Sequence, residues 1–477
     1  MPAYLNTDES RHLFSEATGH VAVPLERLKS GRVVWINEAY RDLDPQAHSD
    51  TSPEDYRRHI LDRCAFVTAI PRGANELIGI ADRYGGSGIG HNGGSGRAAF
   101  VNGYHLKGIG RTPLLSPRAL RSHASGTSSL NASIREAIYS SIARSCFHHS
   151  AIPVLAIIAT GTDDDRVSRS QSRAILVRPC FIRAAHFERA VGFISANHKE
   201  GLLDSRRVSS FFASFRELFS DEVLTKAYMS FFDSWARQLA CSFVQRLPHG
   251  ANTTSNISIH GELLDFGSMS SVPSWANFST MLRPLPLSDL FTIIERAHCS
   301  LAYYFSRHFS NQLGARSLCK ILIEQARHTF KTTLLREILI NCGISIDTIN
   351  KIIECNGHGK LLLHTSKLLK HYQMVVADAV NGLRPGVFHL DLGQVWAENP
   401  PSHLRELRSC LSDFCTDIDE AAASSQTRCL PFENLQRERL RSEIVRLTDQ
   451  VFRDDQMHDA MVKDFIERTV AARISVH

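Results

Sequence analysis

The stretch Tyr84-Gly85-Gly86-Ser87-Gly88-Ile89-Gly90-His91-Asn92-Gly93-Gly94-Ser95-Gly96-Arg97 limits what this chain can fold into more than any other, with seven of the 28 glycines in fourteen residues. It reads as a loop, and apolar residues follow at once. Ala98-Ala99-Phe100-Val101 and Tyr104-His105-Leu106-Lys107 flank Asn102-Gly103. That pattern predicts a strand, a glycine turn and a second strand ending in a lysine. Glycines ahead of a strand let the backbone approach an anion closely, because no Cβ intervenes and the N–H groups can point at it. A flexible loop with no ligand would have the same composition. No Gly-Lys-Ser/Thr closes the run, so it is not a P-loop, and no dinucleotide-binding βαβ unit follows.

The rest of the chain sets this loop in an α+β pattern. Arg32-Val33-Val34-Trp35-Ile36 reads as a short strand, and Ser52-Pro53-Glu54-Asp55 as a helix start with proline in the first turn. A helix is expected from about Ser133, since Ile134, Ile138 and Ile142 repeat every four residues. Strands are expected over 154–159 and 174–178, separated by a charged turn at Asp163-Asp164-Asp165-Arg166. From about 206 the pattern is helical. Leu224, Tyr228, Phe231, Trp235 and Leu239 trace one apolar face, and beyond about 285 nearly everything reads as helix. The expected division is an N-terminal lead-in over 1–80, a β-rich lobe over 81–190, an α-rich lobe over 191–300 and a helical region over 301–477.

Composition bounds the function classes. At 477 residues the chain is long enough for about three domains or one large two-lobed unit. A net charge of +5 over that length is too mild to argue for nucleic acid, and none is expected as a partner, though it suits a site for a polyanion. The longest apolar stretch, 151–159, falls far short of the roughly 20 residues of a membrane span. The opening MPAYLNTDES lacks a basic-then-apolar signal, so a cytoplasmic protein is expected. Eleven cysteines with no CxxC pair indicate neither a disulfide framework nor a zinc ribbon.

Three groups of polar residues could do chemistry. Lys107 ends a strand shortly after the glycine run, where a kinase-like lobe places a phosphate-binding lysine steadied by a helix carboxylate. Glu136 could be that carboxylate. Ser133-Ile134-Arg135-Glu136 is equally a capping box, in which Glu136 would only satisfy the helix start. In Asn256-Ile257-Ser258-Ile259-His260-Gly261-Glu262-Leu263-Leu264-Asp265, a hairpin turning at His260-Gly261 would bring Asn256 beside Asp265. An amide oxygen and a carboxylate make a hard oxygen site suited to Mg²⁺, although polar hairpin ends are also ordinary. Arg178 and Arg183 carry forks suited to phosphate oxygens, or are surface arginines. His148-His149 and His249 lack metal-ligand spacing and read as structural.

The order of these signals resembles the selenoprotein O family, kinase-fold enzymes that transfer AMP from ATP to proteins. The matching stretches are Gly94-Ser95-Gly96-Arg97, His105-Leu106-Lys107-Gly108-Ile109-Gly110-Arg111-Thr112-Pro113, Ser133-Ile134-Arg135-Glu136, and His249-Gly250 through Asn256 to Asp265-Phe266-Gly267. They lie within about residues 30–270. The resemblance implies a protein-kinase-like two-lobed fold and an Mg²⁺- and ATP-dependent adenylyltransferase acting on a protein or peptide. It implies that Lys107 and Glu136 pair to hold phosphates, and that Asn256 and Asp265 bind the metal. Gly94, Gly96, Arg97, Gly126, Arg178 and Arg183 would then surround the nucleotide. The two arginines would grip the γ-phosphate of a nucleotide bound in reverse.

Departures from the family pattern are equally specific. Ser95 and Ser125 stand at acidic positions, and Ser255 replaces the acidic residue before the metal-binding Asn, the proposed catalytic base. The C-terminal cysteine or selenocysteine pattern is missing. A positioned base is worth about 10²–10⁴-fold for a hydroxyl acceptor, whereas a chain-terminal carboxylate, with a pKa near about 3.5, is already ionised and needs none. The expectation is therefore an acyl-adenylate on a peptide carboxylate, as in the maturation of a microcin-type peptide with a partner enzyme. A non-catalytic pseudokinase scaffold, with the helical C-terminal region as its partner-binding part, is the alternative.

Overall fold

The computed structural model describes residues 2–47, 51–69, 77–87, 89–119, 124–161, 172–194, 199–272, 277–278, 284–285, 287–308, 316–354, 358–380, 392–415, 417–428, 435–449 and 455–474. The charged turn expected at 163–166 and Gly88 lie outside them. The strands of the main sheet are β1 (Val21–Arg27), β2 (Arg32–Ile36), β3 (Phe66–Thr68), β4 (Leu77–Ala81), β5 (Ala98–Val101), β6 (Tyr104–Lys107), β7 (Ser128–Ser129), β8 (Ala156–Ala159) and β9 (Arg173–Pro179). Their order is β2-β8-β9-β6-β5-β4-β1-β3, with β7 pairing on β9. All these pairs are antiparallel.

The sheet must be rolled. Four residues, 28–31, connect β1 to β2, and such a link reaches at most about 17 Å. Those strands stand seventh and first in the order, about 29 Å apart in a flat sheet at the usual spacing. Val23, Leu25, Leu106, Ile158 and Val177 fill one face of the roll with Tyr56 and Ile60. The last two belong to the helix Pro53–Cys64, which starts with Ser52 as its cap and Pro53 at its first position, as the sequence pattern indicates. The expected lead-in over 1–80 thus supplies four strands of the sheet.

The helices, in chain order, are α1 (Thr7–Leu13), α2 (Pro53–Cys64), α3 (Leu130–Cys146), α4 (Lys199–Val244), α5 (Leu287–Leu290), α6 (Thr292–His308), α7 (Arg316–Asn341), α8 (Ile346–Glu354), α9 (His358–Val380), α10 (Ser402–Ser412), α11 (Ile418–Arg428), α12 (Arg437–Thr448) and α13 (Asp455–Ile474). This is an α+β architecture, a β-rich part followed by a mostly helical one. The expected face Leu224, Tyr228, Phe231, Trp235 and Leu239 is buried on α4, which is broken at Ser220 (φ 67°). No described helix is long and apolar enough to cross a membrane.

Helix α3 joins the two parts. Ile134, Ile138 and Ile142 are all buried in the larger core with α4 and α7. The helix starts three residues earlier than its apolar repeat suggests, because the Ser129 side chain caps it by accepting from the Ala132 N–H. Chain from the far C-terminus braces it, with α12 and α13 packing on α3 and α13 also on β2. The Tyr139 hydroxyl donates to the Leu435 carbonyl at 2.8 Å, and Thr448 donates to Asn131 at 2.9 Å.

Tyr139→Phe removes a fully buried hydrogen bond and nothing else of size. It is expected to cost about 1 kcal/mol, read as a lower urea midpoint at unchanged slope.

Candidate active site

The site assembles where the end of β6, the middle of α3 and the segment 254–265 meet. The tight turn at Asn102-Gly103 sets the β5–β6 register, Ala98 opposite Lys107, and so delivers Lys107 at the strand end. Its Nζ donates to Glu136 Oε1 and Oε2 at 3.0 and 2.9 Å, and to Asp265 Oδ1. The cap at Ser129 places Glu136 well inside α3, so it is not a capping-box residue: its carboxylate serves Lys107 and Arg178. Arg178 Nη2 reaches Glu136 and also Asp265 at 3.2 Å. Arg183 Nη1 reaches Asp265 at 3.4 Å and the Ser255 carbonyl.

The hairpin closes only narrowly. A single antiparallel bridge joins Ile257 to Leu263, and the Leu264 N–H donates to the Asn256 carbonyl at 3.1 Å. That suffices to set Asn256 and Asp265 on the same cleft. Asp265 takes a left-handed conformation (φ 63°, ψ 62°), a strained choice of the kind that surrounding contacts must impose. The Asn256 amide nitrogen donates to the Ala251 carbonyl at 2.9 Å, which leaves its oxygen as the atom available to a cation.

The cleft has a volume of about 390 Å³. Gly94, Gly96, Arg97, Lys107, Arg183, Ser255, Asn256 and Asp265 line it, together with Tyr84 and Arg118. Four cationic side chains therefore face one carboxylate. The glycine segment beside it is tied down rather than loose: the Ser95 N–H donates to the Asp82 carbonyl at 2.8 Å, and Thr112 donates to the Ser95 carbonyl at 2.9 Å. Gly94 has φ +141°, and a Cβ there would come within 2.4 Å of the Asp82 carbonyl oxygen. Only glycine lets the loop lie this close to the chain leaving β4.

Not every expected residue reaches the cleft. Arg178 and Glu136 lie behind Lys107, bonded to it or to its partners, outside the lining. Gly126 is also outside it. At φ +70°, it crosses the backbone at Gly110, whose N–H donates to the Gly126 carbonyl at 3.1 Å. Ser255 Oγ is 2.7 Å from the Thr253 hydroxyl.

Sequence reasoning missed Asp82. Its carboxylate accepts from Arg183 at 3.0 Å, and lies 3.0 Å from His105 Nε2 and 2.9 Å from His186 Nε2. Tyr84 packs under the same guanidinium, 4.6 Å from ring centroid to Cζ. The signal available was a charged pair, Asp82-Arg83, directly after the apolar run of β4, where a solvated turn is the ordinary reading. Burial alone would raise the Asp82 pKa, but Arg183 and the two imidazoles hold it well below the carboxylate range. Burial likewise opposes ionisation of Asp265, and Lys107, Arg178 and Arg183 overcome it. Lys107 is lowered by burial, partly offset by Asp265 and Glu136. His186 is pushed down to about 4, chiefly by burial.

Residues 85–281, about two fifths of the chain, match a family model described as protein adenylyltransferase SelO. Over that segment the chain is similar to the SelO family. Its Lys107, Glu136, Arg178, Arg183, Asn256 and Asp265 all fall inside the match, and the α+β architecture agrees with a kinase-like SelO fold. The family is one of enzymes. No curated protein matches the chain.

The lowered His186 contributes to the acid side of the stability profile. Between its unfolded value near about 6.5 and its folded value, the unfolded chain binds the extra proton, so stability falls with pH. The thermal midpoint is expected to drop as pH falls from about 6.5 towards 4, and His186→Asn is expected to shallow that slope by up to one proton. A slope identical in wild type and variant would contradict the assignment.

Proposed function

We propose that this chain transfers AMP from Mg²⁺-bound ATP to a protein or peptide. The observation that carries the reading is the Lys107 ammonium, held by Glu136 and Asp265 at the wall of a cleft with a surplus of positive charge. Asn256 and Asp265 supply the amide and carboxylate oxygens that suit Mg²⁺. The metal, when bound, would neutralise phosphate charge and orient the triphosphate. Lys107, Arg97 and Arg183 bind phosphate oxygens, and Arg178 stiffens the carboxylates from behind. Nε and Nη1 of Arg178 are buried with no acceptor among the described residues, donors that an ordered water would satisfy. In the transfer, an acceptor oxygen attacks the α-phosphorus, the α–β bridging bond breaks and pyrophosphate leaves.

Ser255 favours one class of acceptor. It is buried, its hydroxyl lies against Thr253, and Asp265 is the one carboxylate among the cleft-lining residues. Asp265 is committed to three cations, so no cleft-lining acid is free to deprotonate a hydroxyl. A carboxylate acceptor arrives ionised, and its attack yields an acyl-adenylate, which a partner enzyme could use in peptide maturation. Such a role places the chain in the cytoplasm with its nucleotide.

With α-labelled ATP and Mg²⁺, label is expected on an acceptor, and Asp265→Asn and Lys107→Ala are expected to lower transfer by about 10²–10³-fold or more. Ser255→Ala should change it little, where loss of a working base would cost about 10²–10⁴-fold. Hydroxylamine should trap a hydroxamate if the acceptor is a carboxylate. ATP-induced thermal stabilisation with no labelled product from any acceptor would instead identify a nucleotide-binding scaffold, and transfer of γ-label would identify a kinase.

A further inference from the structure

Away from the cleft, three metal-ligating side chains of different chemistry converge where α3 ends. His148 lies in the turn just after α3, Cys241 on α4 and Glu337 on α7. One ligand atom from each lies within 4.8 Å of the other two. His148 Nε2 is 2.7 Å from Glu337 Oε1, and Gln245 Nε2 donates to Glu337 Oε2 at 3.2 Å. Cys241 Sγ lies 3.4 Å from the Cys146 carbonyl oxygen. Cys241 and Glu337 are buried, while the His148 side chain keeps 30% of its surface.

We propose that His148, Cys241 and Glu337 form a Zn²⁺ site, separate from the nucleotide cleft. Imidazole, thiolate and carboxylate together select zinc over magnesium or calcium, which take oxygen ligands. Neighbouring ligands on a zinc tetrahedron are about 3.3–3.8 Å apart, from bond lengths of about 2.0–2.3 Å. The His148–Glu337 pair, at 2.7 Å, is closer than that, and no pair exceeds 4.8 Å, so side-chain rotations of about an ångström seat the ion. Gln245 holds the carboxylate as an outer partner does in such centres. The exposed side of His148 gives the ion access and leaves a fourth position for water. As the sulfur–metal bond forms, the Cys241 thiol releases its proton to solvent.

The site's placement indicates what it does. It ties the C-terminal end of α3, the helix that carries Glu136, to α4 and α7. Zinc here is a structural clamp on the positioning helix, outside the chemistry.

The full-length chain, stripped by chelator, is titrated with Co²⁺ and then with Zn²⁺. The expected result is a thiolate-to-cobalt charge-transfer band saturating at one ion per chain, displaced by zinc, with a thermal midpoint that rises with zinc concentration. Cys241→Ser should lose the band and Asp265→Asn should keep it. His148→Ala, at the most exposed of the three positions, should weaken binding by more than about 100-fold, the upper end for loss of a mere outer-shell partner. No band in the wild type, a band that persists in Cys241→Ser, or unchanged affinity in His148→Ala would each overturn the proposal.

Discussion

The Lys107 ammonium, shared between Glu136 and Asp265, is the interaction on which the arrangement turns. It joins three elements that are remote in sequence: a strand end, a mid-helix position and the end of a narrow hairpin. A buried cluster of this kind is a poor source of stability, because desolvating each charge offsets much of the attraction. Its worth lies in position. Remove one member and the rest are left as uncompensated buried charges, so each element is held to the register the others require. The left-handed backbone at Asp265 is the local strain that accompanies this convergence.

The surroundings of α3 serve the same end. Its middle carries Glu136, its start is capped by Ser129, and its buried face packs on the helical core. Residues 435–449 and 455–474 cover it, through Tyr139, Asn131 and the packing of α12 and α13. Arg32 on β2 reaches Asp455 at 3.4 Å as well, tying the sheet edge to the same tail. The C-terminal helices are thus part of what keeps the carboxylate aimed at Lys107, although they lie outside the segment that matches the family.

How much of this the sequence revealed depends on the range of the interactions involved. The strand–turn–strand ending at Lys107 is local, and the turn residues state it outright. The α3 face is legible from its four-residue repeat, but its start is not, because Ser129 caps the helix ahead of the first apolar repeat. That one residue decides whether Glu136 is a cap or a site group. The meeting of Lys107 with Asp265 is 158 residues long in sequence, and no local pattern encodes it; the order of motifs suggested it only through family resemblance. Asp82 was hidden because a charged residue after a strand ordinarily faces water. The helical character of 437–448 and 455–474 is legible, but nothing local in those stretches says what the helices pack against.

Arg178 and Arg183 show why residue type alone underdetermines role. Both are fully buried, both bond Asp265, and both were expected at the nucleotide. Arg183 lines the cleft, stacked against Tyr84 and anchored by Asp82, whereas Arg178 stands one layer back. The difference matters for how the site would accept a triphosphate. Asp265 is satisfied by ammonium and guanidinium groups. On the reading proposed above, the metal takes over the carboxylate while phosphate oxygens take over the cations. Each buried charge then exchanges one opposite partner for another, and none passes through an unpaired state in a low-dielectric site, where that would be most costly. A front layer that swaps partners needs a rear layer that does not. Arg178 and Glu136, bonded to each other as well as to the exchanging pair, are placed to be that layer.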